Sequence, residues 1–255
     1  MRAWFVWVRG VLLVVLSLRV DAAGLVVPDD ARETRWADEV VPQLVVGDAV
    51  WLATPQRARV LALFTEPSGI AKAAVIVVHG TGVHPDWGPI GELRSALPEH
   101  GYATLSVQMP VLAADVPGSD YDPLFPIAAQ RLDAAVAWLK ARGHAHIAVV
   151  SHSLGASMVN AWLANAPPPT IDAWIPIGML VDFARRPRMP VLDVTAQRDL
   201  REALASRRSR AASLPRDRCS GSVSIADTDH LLERAVPRAT ERIVPFLEKA
   251  LAGKC

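Results

Sequence analysis

Ile147-Ala-Val-Val-Ser151-His152-Ser153-Leu154-Gly155-Ala156-Ser157-Met158 is the stretch on which the reading of the whole chain turns. A β-branched apolar run, Ile147, Val149 and Val150, stops at a cluster of small residues, and a helix-favouring run from Leu154 to Leu163 begins at once. Strand, tight turn and helix with a serine at the apex is the arrangement of a nucleophile elbow, written here Ser-His-Ser-Leu-Gly in place of Gly-x-Ser-x-Gly. The apex residue sits in a strained backbone conformation, so the positions two before and two after it must be small for strand and helix to approach. Ser153 meets that condition, flanked by Ser151 and Gly155; Ser151 does not, because Val149 would clash. The same residues also fit a buried strand entering a helix through a polar turn, and the remaining chain decides between the two.

At 255 residues, 51% hydrophobic and 21% charged, the chain can bury a full core as one α/β domain. A formal net charge of +1 is too balanced for a nucleic-acid binder. Arg2 and Arg9 precede the apolar run Val11 to Leu18, and Val20-Asp21-Ala22-Ala23 offers a small-residue cleavage site, so residues 1–22 read as a secretory signal peptide and 23–255 as the folded domain. The alternative is an uncleaved membrane anchor. No cysteine stands directly after the cleavage site, which argues against a lipoprotein. Export makes a disulfide between the two cysteines, Cys219 and Cys255, permissible. If Cys219 opens the last strand and Cys255 closes the last helix, both lie at one edge of the sheet, and their pairing would contribute roughly 3 to 4 kcal/mol.

Residues 23–41 are polar and mixed, with a loop at Pro28-Asp29-Asp30 and nothing functional to read. Residues 49–53 and 59–64 form an opening hairpin, and Ala73 to Val78 is a strand buried on both faces. Beyond it helix and strand signals alternate: helix 89–100, strand 102–107, helix 125–142, the elbow, strands 171–177 and 191–195, helix 200–212, strand 222–225, and a helix 231–251 that Pro237 and Pro245 should kink. Pro167-Pro-Pro169 reads as a loop. This pattern predicts an α/β fold with a mainly parallel central sheet of about eight strands flanked by helices. Ligands in such sheets sit outside the carboxyl ends of the strands, where this chain places His79-Gly80-Thr81-Gly82, Ser153, Asp182, Asp199 and His230.

A serine hydroxyl needs a base beside it and a carboxylate to orient that base. His230, between the last strand and the last helix, can swing over the elbow. Asp199, just beyond the strand that starts at Val191, suits the acid; Asp182 is the runner-up, while Asp193 lies within its strand. The order Ser, Asp, His is the one expected of an elbow protein. His79, His84, His100, His144, His146 and His152 have no coherent metal-ligand spacing, and the chemistry calls for no metal and no cofactor.

With these residues, over essentially the whole mature chain, the sequence resembles the α/β-hydrolase superfamily. The run from His79 to Trp87 is similar to a feature of an uncharacterised secreted bacterial branch of it. The resemblance implies Ser153 as nucleophile, His230 as base, Asp199 as orienting acid, and an oxyanion hole from the backbone N–H of Leu154 with that of Thr81 or Gly82. It departs from the usual motif at Ser151, which is small enough to serve.

Pocket-shaping residues are expected from the loop Pro110 to Leu124, with Tyr121, and from the turn carrying Trp87; His152, beside the nucleophile, is a further candidate for substrate contact. The short chain between Ile177 and Val191 leaves no room for a large cap domain, which suits a small-molecule or lipid-like ester. Arginines cluster at 185, 186 and 188 and at 207, 208, 210, 216 and 218. They read as solvated faces, or, in the sharper alternative, as a peripheral contact with anionic envelope components. The expected function is a secreted, periplasmic or extracellular serine hydrolase acting on a carboxylic ester. The alternatives are an inactive hydrolase-fold binding module and an amidase or peptidase using the same triad.

Overall fold

The structure, a computed structural model, describes residues 26–165 and 170–255. The expected signal peptide and the Pro167–Pro169 loop lie outside the described residues. In chain order the elements are α1 (Asp30–Val40), β1 (Asp48–Leu52), β2 (Val60–Thr65), β3 (Ala73–Val78), α2 (Gly88–Ala96), β4 (Tyr102–Val107), α3 (Phe125–Ala141), β5 (Ile147–His152), α4 (Leu154–Leu163), β6 (Ala173–Ile177), β7 (Leu192–Arg198), α5 (Arg201–Ala212), β8 (Gly221–Asp229) and α6 (Val236–Leu251). The eight strands of this sheet run in the order β1-β2-β4-β3-β5-β6-β7-β8. The β1–β2 and β2–β4 pairs are antiparallel, and every pair from β4 to β8 is parallel.

The parallel strands are apolar throughout because helices cover both faces. Alternate side chains of β3 divide between the two layers. Ile76 and Val78 join the core under α3 and α4, with Leu132, Val159 and Trp162. Val75 and Val77 join the core under α2 and α6, with Leu93, Ile243 and Leu247. That central position leaves β5 buried along its whole length, and its carboxyl end carries the elbow in the middle of the sheet edge.

Within the N-terminal stretch, read only as polar and mixed with a loop at Pro28-Asp29-Asp30, lies the helix α1. Asp29 caps it by accepting from the Arg32 N–H at 2.8 Å. Its buried face carries Glu33, 3% exposed, whose carboxylate accepts from Arg57 Nη1 at 2.6 Å and Arg131 Nη1 at 2.9 Å. Helix α6 begins at Val236, not Leu231, with Pro237 in its first turn, where a missing N–H costs no hydrogen bond. Pro245 is accommodated within it.

Arg210, expected on a solvated face, is buried. Its guanidinium pairs with the Asp193 carboxylate at 3.1 Å and donates to the Met179 carbonyl at 2.8 Å, tying the loop after β6 to α5. The neighbouring Arg208, Arg216 and Arg218 are exposed. Cys219 and Cys255 form a disulfide across a Cα–Cα distance of 5.2 Å, joining the start of β8 to the chain end beyond α6. Among the described residues no helix is long and apolar enough to cross a membrane. Between β6 and β7 the chain forms no helix, so no large cap covers the sheet edge.

Candidate active site

Ser153 follows β5 directly and precedes α4 with φ 55° and ψ −125°, a strained backbone for a residue with a side chain. What forces the turn is close approach. A Cβ on Gly155 would lie 2.1 Å from the His79 carbonyl oxygen, so α4 can pack against the β3 loop only with glycine there. Ser151 points into the core, where its Oγ accepts from the Trp174 indole N–H at 2.9 Å. A serine at that position therefore satisfies a buried donor that glycine would leave unpaired.

Three side chains from three strand ends meet. The Ser153 hydroxyl donates to His230 Nε2 at 2.7 Å, and His230 Nδ1–H donates to Asp199 Oδ1 at 2.5 Å. Asp199 also accepts from the N–H groups of Ala196 at 2.9 Å and Leu200 at 2.8 Å. Burial works to raise the Asp199 pKa, but the bonds from His230 and the two backbone donors outweigh it and hold the carboxyl below its ordinary value. Asp182, the runner-up, is exposed, and its carbonyl takes a bond from Asn160 Nδ2.

Gly178, which sequence reasoning missed, closes the floor under this pair. Its φ is +59°, and a Cβ there would come within 2.9 Å of the His230 ring. The signal was its place directly after the strand ending at Ile177. Gly80 approaches from the opposite side, where a Cβ would lie 3.1 Å from Ser153 Cβ. Around Ser153, the backbone N–H groups of Leu154, Thr81 and Gly82 donate to no protein acceptor among the described residues. Leu154 also heads α4, where the helix dipole favours negative charge.

Two expected substrate contacts are corrected. His152 is 3% exposed and turned inward, its Nε2–H donating to the His230 carbonyl at 2.8 Å, so it holds the histidine loop from below. Tyr121 is 1% exposed, and its hydroxyl accepts from the Leu112 N–H at 3.0 Å. The loop carrying Tyr121 is folded onto the core by this residue and does not offer it to a ligand. Trp87 is half-buried at the head of α2. Cavities of about 620 Å³ between α2 and α6 and about 270 Å³ beside the end of α4 are lined by none of the three meeting residues. Among the described residues no cluster of three His, Cys, Asp or Glu side chains is placed to hold a metal ion.

A sequence-family profile described as "Alpha/beta hydrolase family" matches residues 75–251. The chain belongs to the alpha/beta hydrolase family. A second profile, for a protein family of unknown function, matches residues 24–123. No curated protein sequence matches the chain.

Among solved structures this alpha/beta hydrolase is similar to an alpha-beta serine hydrolase homologue from Coxiella burnetii, with a TM-score of 0.62 and 14% identity over 80% of this chain and 99% of that one. It is likewise similar to the esterase domain of a Rhodothermus marinus protein, with a TM-score of 0.62 and 17% identity over 80% and 98%. A third is an a/b serine hydrolase without lid from Xanthomonas campestris, with a TM-score of 0.63 and 17% identity over 81% and 95%. These likenesses are of fold.

Two buried histidines of this hydrolase make its stability fall with acid. Burial lowers His79 to a pKa of about 3, and its ring is held between the Gly80 carbonyl at Nδ1 and the Met109 N–H at Nε2. Burial, then the neighbouring His230, lowers His152 to about 4. Unfolded, both rings take up protons near pH 6.5. The unfolded state therefore binds more protons, and stability complete above pH 7 is lost as the pH falls through that range, at about 1.4 kcal/mol per pH unit for each ring. Urea unfolding at pH 6 and pH 5 is expected to differ by about 2 kcal/mol, with His152→Gln roughly halving the difference; equal stabilities would contradict neutral burial of the pair.

Proposed function

We propose that the chain is an exported serine hydrolase that cleaves a carboxylic ester by way of an acyl-enzyme on Ser153. The observation that carries this reading is the 2.7 Å bond from the Ser153 hydroxyl to His230, continued by the 2.5 Å bond from His230 to Asp199, beside N–H donors that no acceptor among the described residues uses. A serine with its proton already directed at an imidazole loses that proton as it attacks a carbonyl carbon. Asp199, held ionised, stabilises the imidazolium and fixes the tautomer with Nδ1 protonated.

The oxygen of the attacked carbonyl gains charge as the tetrahedral species forms. The N–H of Leu154, with that of Thr81 or Gly82, would meet that charge. His230 then passes its proton to the leaving alcohol, and a water deprotonated by the same histidine releases the acid. An uncapped sheet edge favours esters of varied size, and the apolar run at residues 11–18 supports export to the periplasm or beyond.

The test is turnover by residues 23–255 of paired p-nitrophenyl esters and p-nitroanilides of the same acyl groups. Ester turnover well above anilide turnover is the expected result. Anilide turnover equal to or above it would favour the amidase reading, and turnover of neither would favour a binding module.

A further inference from the structure

The helix α1 lies outside the stretch matched by the hydrolase profile and inside the stretch matched by the profile of unknown function. It nevertheless reaches the loop that carries two of the candidate oxyanion donors. The Arg32 guanidinium donates through Nη2 to the Gly82 carbonyl at 2.9 Å and through Nη1 to the Leu112 carbonyl at 2.7 Å. One planar cation thus bridges the loop after β3 and the loop after β4. Gly82 has a φ of +65°, a conformation few side chains adopt, and its carbonyl belongs to the peptide that follows the one carrying the Gly82 N–H, so a bond to that carbonyl restrains the turn from its far side.

The surroundings make Arg32 a fixed strut. Its guanidinium lies 4.5 Å over the Trp36 ring, and Trp36 in turn packs 5.8 Å from the His84 ring, two residues beyond Gly82. Among the described residues no carboxylate pairs with Arg32, so the two carbonyls are its polar partners. Tyr121, whose hydroxyl receives the Leu112 N–H, would stand 3.8 Å from a Cβ on Gly82, and so backs the same corner. The helix itself is held independently of Arg32, by the ion pairs of Glu33 with Arg57 and Arg131 and by the Asp29 N–H donating to the Val111 carbonyl at 2.7 Å. Removal of the Arg32 side chain therefore frees the loop without unseating the helix.

We propose that Arg32 is a positioning residue for the oxyanion hole, an arginine on an N-terminal helix that holds the Gly82 carbonyl and so limits the movement of the adjoining peptides, which carry the Thr81 and Gly82 N–H groups. This rests on the hydrolase reading above. Arg32 touches neither Ser153 nor substrate; it acts through the carbonyl of Gly82. A donor that must be oriented at the moment of reaction contributes less than one already in place, and outright loss of an oxyanion donor costs about 10²- to 10³-fold in kcat. Loosening it is expected to cost less, about 10- to 100-fold.

The experiment compares the parent with Arg32→Ala in residues 23–255, by ester kinetics and by amide hydrogen exchange of the peptide spanning residues 79–84. Arg32→Ala is expected to stay folded with a melting temperature a few degrees below the parent's at most, to lower kcat about 30-fold with KM changed less than about threefold, and to regain part of kcat on addition of guanidinium. Exchange in the 79–84 peptide is expected to rise while that of α6 stays the same. Unchanged exchange at 79–84 overturns the proposal whether or not the parent turns over an ester. Raised exchange in a protein whose parent is itself inert supports the brace and assigns the failure to the hydrolase reading. Raised exchange with undiminished kcat in an active parent overturns the proposal.

Discussion

Ser153→Ala is expected to abolish ester turnover, lowering kcat by about 10⁶-fold, while leaving the fold and its stability close to those of the parent. At about 1.4 kcal/mol per tenfold this is a loss of about 8 kcal/mol of transition-state stabilisation. The size follows from the chemistry: without Oγ no acyl-enzyme forms, and His230 is left with water as the only nucleophile. The preserved fold follows from the packing. Ser153 is 7% exposed at the rim of the sheet, and its strained φ of 55° does not depend on the hydroxyl. The variant should even relieve no strain, because alanine carries the same Cβ. Steady-state turnover of a p-nitrophenyl ester, alongside a urea unfolding curve, makes the comparison; a variant that kept a tenth of the parent's activity would contradict the assignment.

Asp199→Asn is the second large effect expected, a fall of about 10⁴-fold in kcat with KM little changed. Asp199 accepts at three places, from His230 Nδ1–H, from the Leu200 N–H and from the Ala196 N–H. An amide has one acceptor oxygen, so its NH₂ group must face a donor. Facing His230, it drives the ring to the tautomer with Nε2 protonated, which cannot take the Ser153 proton. Facing Ala196, it leaves a buried N–H unpaired, which costs about 1–3 kcal/mol of stability. The bonds that hold the Asp199 carboxyl below its ordinary pKa also keep it ionised well into acid, so loss of this carboxylate's charge is not expected to limit the parent at neutral pH. Turnover of the variant within tenfold of the parent would show that Asp199 is not the orienting acid.

The elements that position this site are legible in the sequence wherever the chain obeys a simple period. The unbroken apolar runs at 73–78 and 147–150 become strands buried on both faces, and the small residues around Ser153 mark the sharp turn between β5 and α4. Ser153, His230 and Asp199 are each read from their place after a strand, and the fold brings those three side chains into one hydrogen-bonded row. Polar residues that are buried escape the same reading. Helix α1 is obscured because Glu33 fills part of its inward face, where a periodic pattern looks for an apolar residue. Arg210 reads as one of a run of surface arginines, and only the fold puts Asp193 opposite it.

His152 and Tyr121 illustrate the complementary difficulty. Both lie beside the site in the chain, and proximity in sequence suggests contact with substrate. Side-chain direction decides otherwise. His152 bonds the His230 carbonyl, Tyr121 bonds the Leu112 N–H, and both are almost wholly buried. Each instead holds a neighbouring loop in place. Gly178 and Arg32 act in the same supporting way, one by having no side chain under the His230 ring and the other by spanning two loops that are 30 residues apart in sequence, from Gly82 to Leu112.

The central claim is that Ser153 is an activated nucleophile, and the most direct measurement is covalent labelling of residues 23–255 with a fluorophosphonate, followed by mass mapping of the adduct. Phosphorus chemistry of this kind requires both a serine activated by its histidine and N–H groups that donate to the phosphoryl oxygen, so it reads the whole arrangement at once. A single adduct on Ser153, lost in Ser153→Ala and strongly slowed in His230→Ala, is the predicted result. A folded protein that stays unlabelled, or that carries its adduct on a serine other than Ser153, would contradict it.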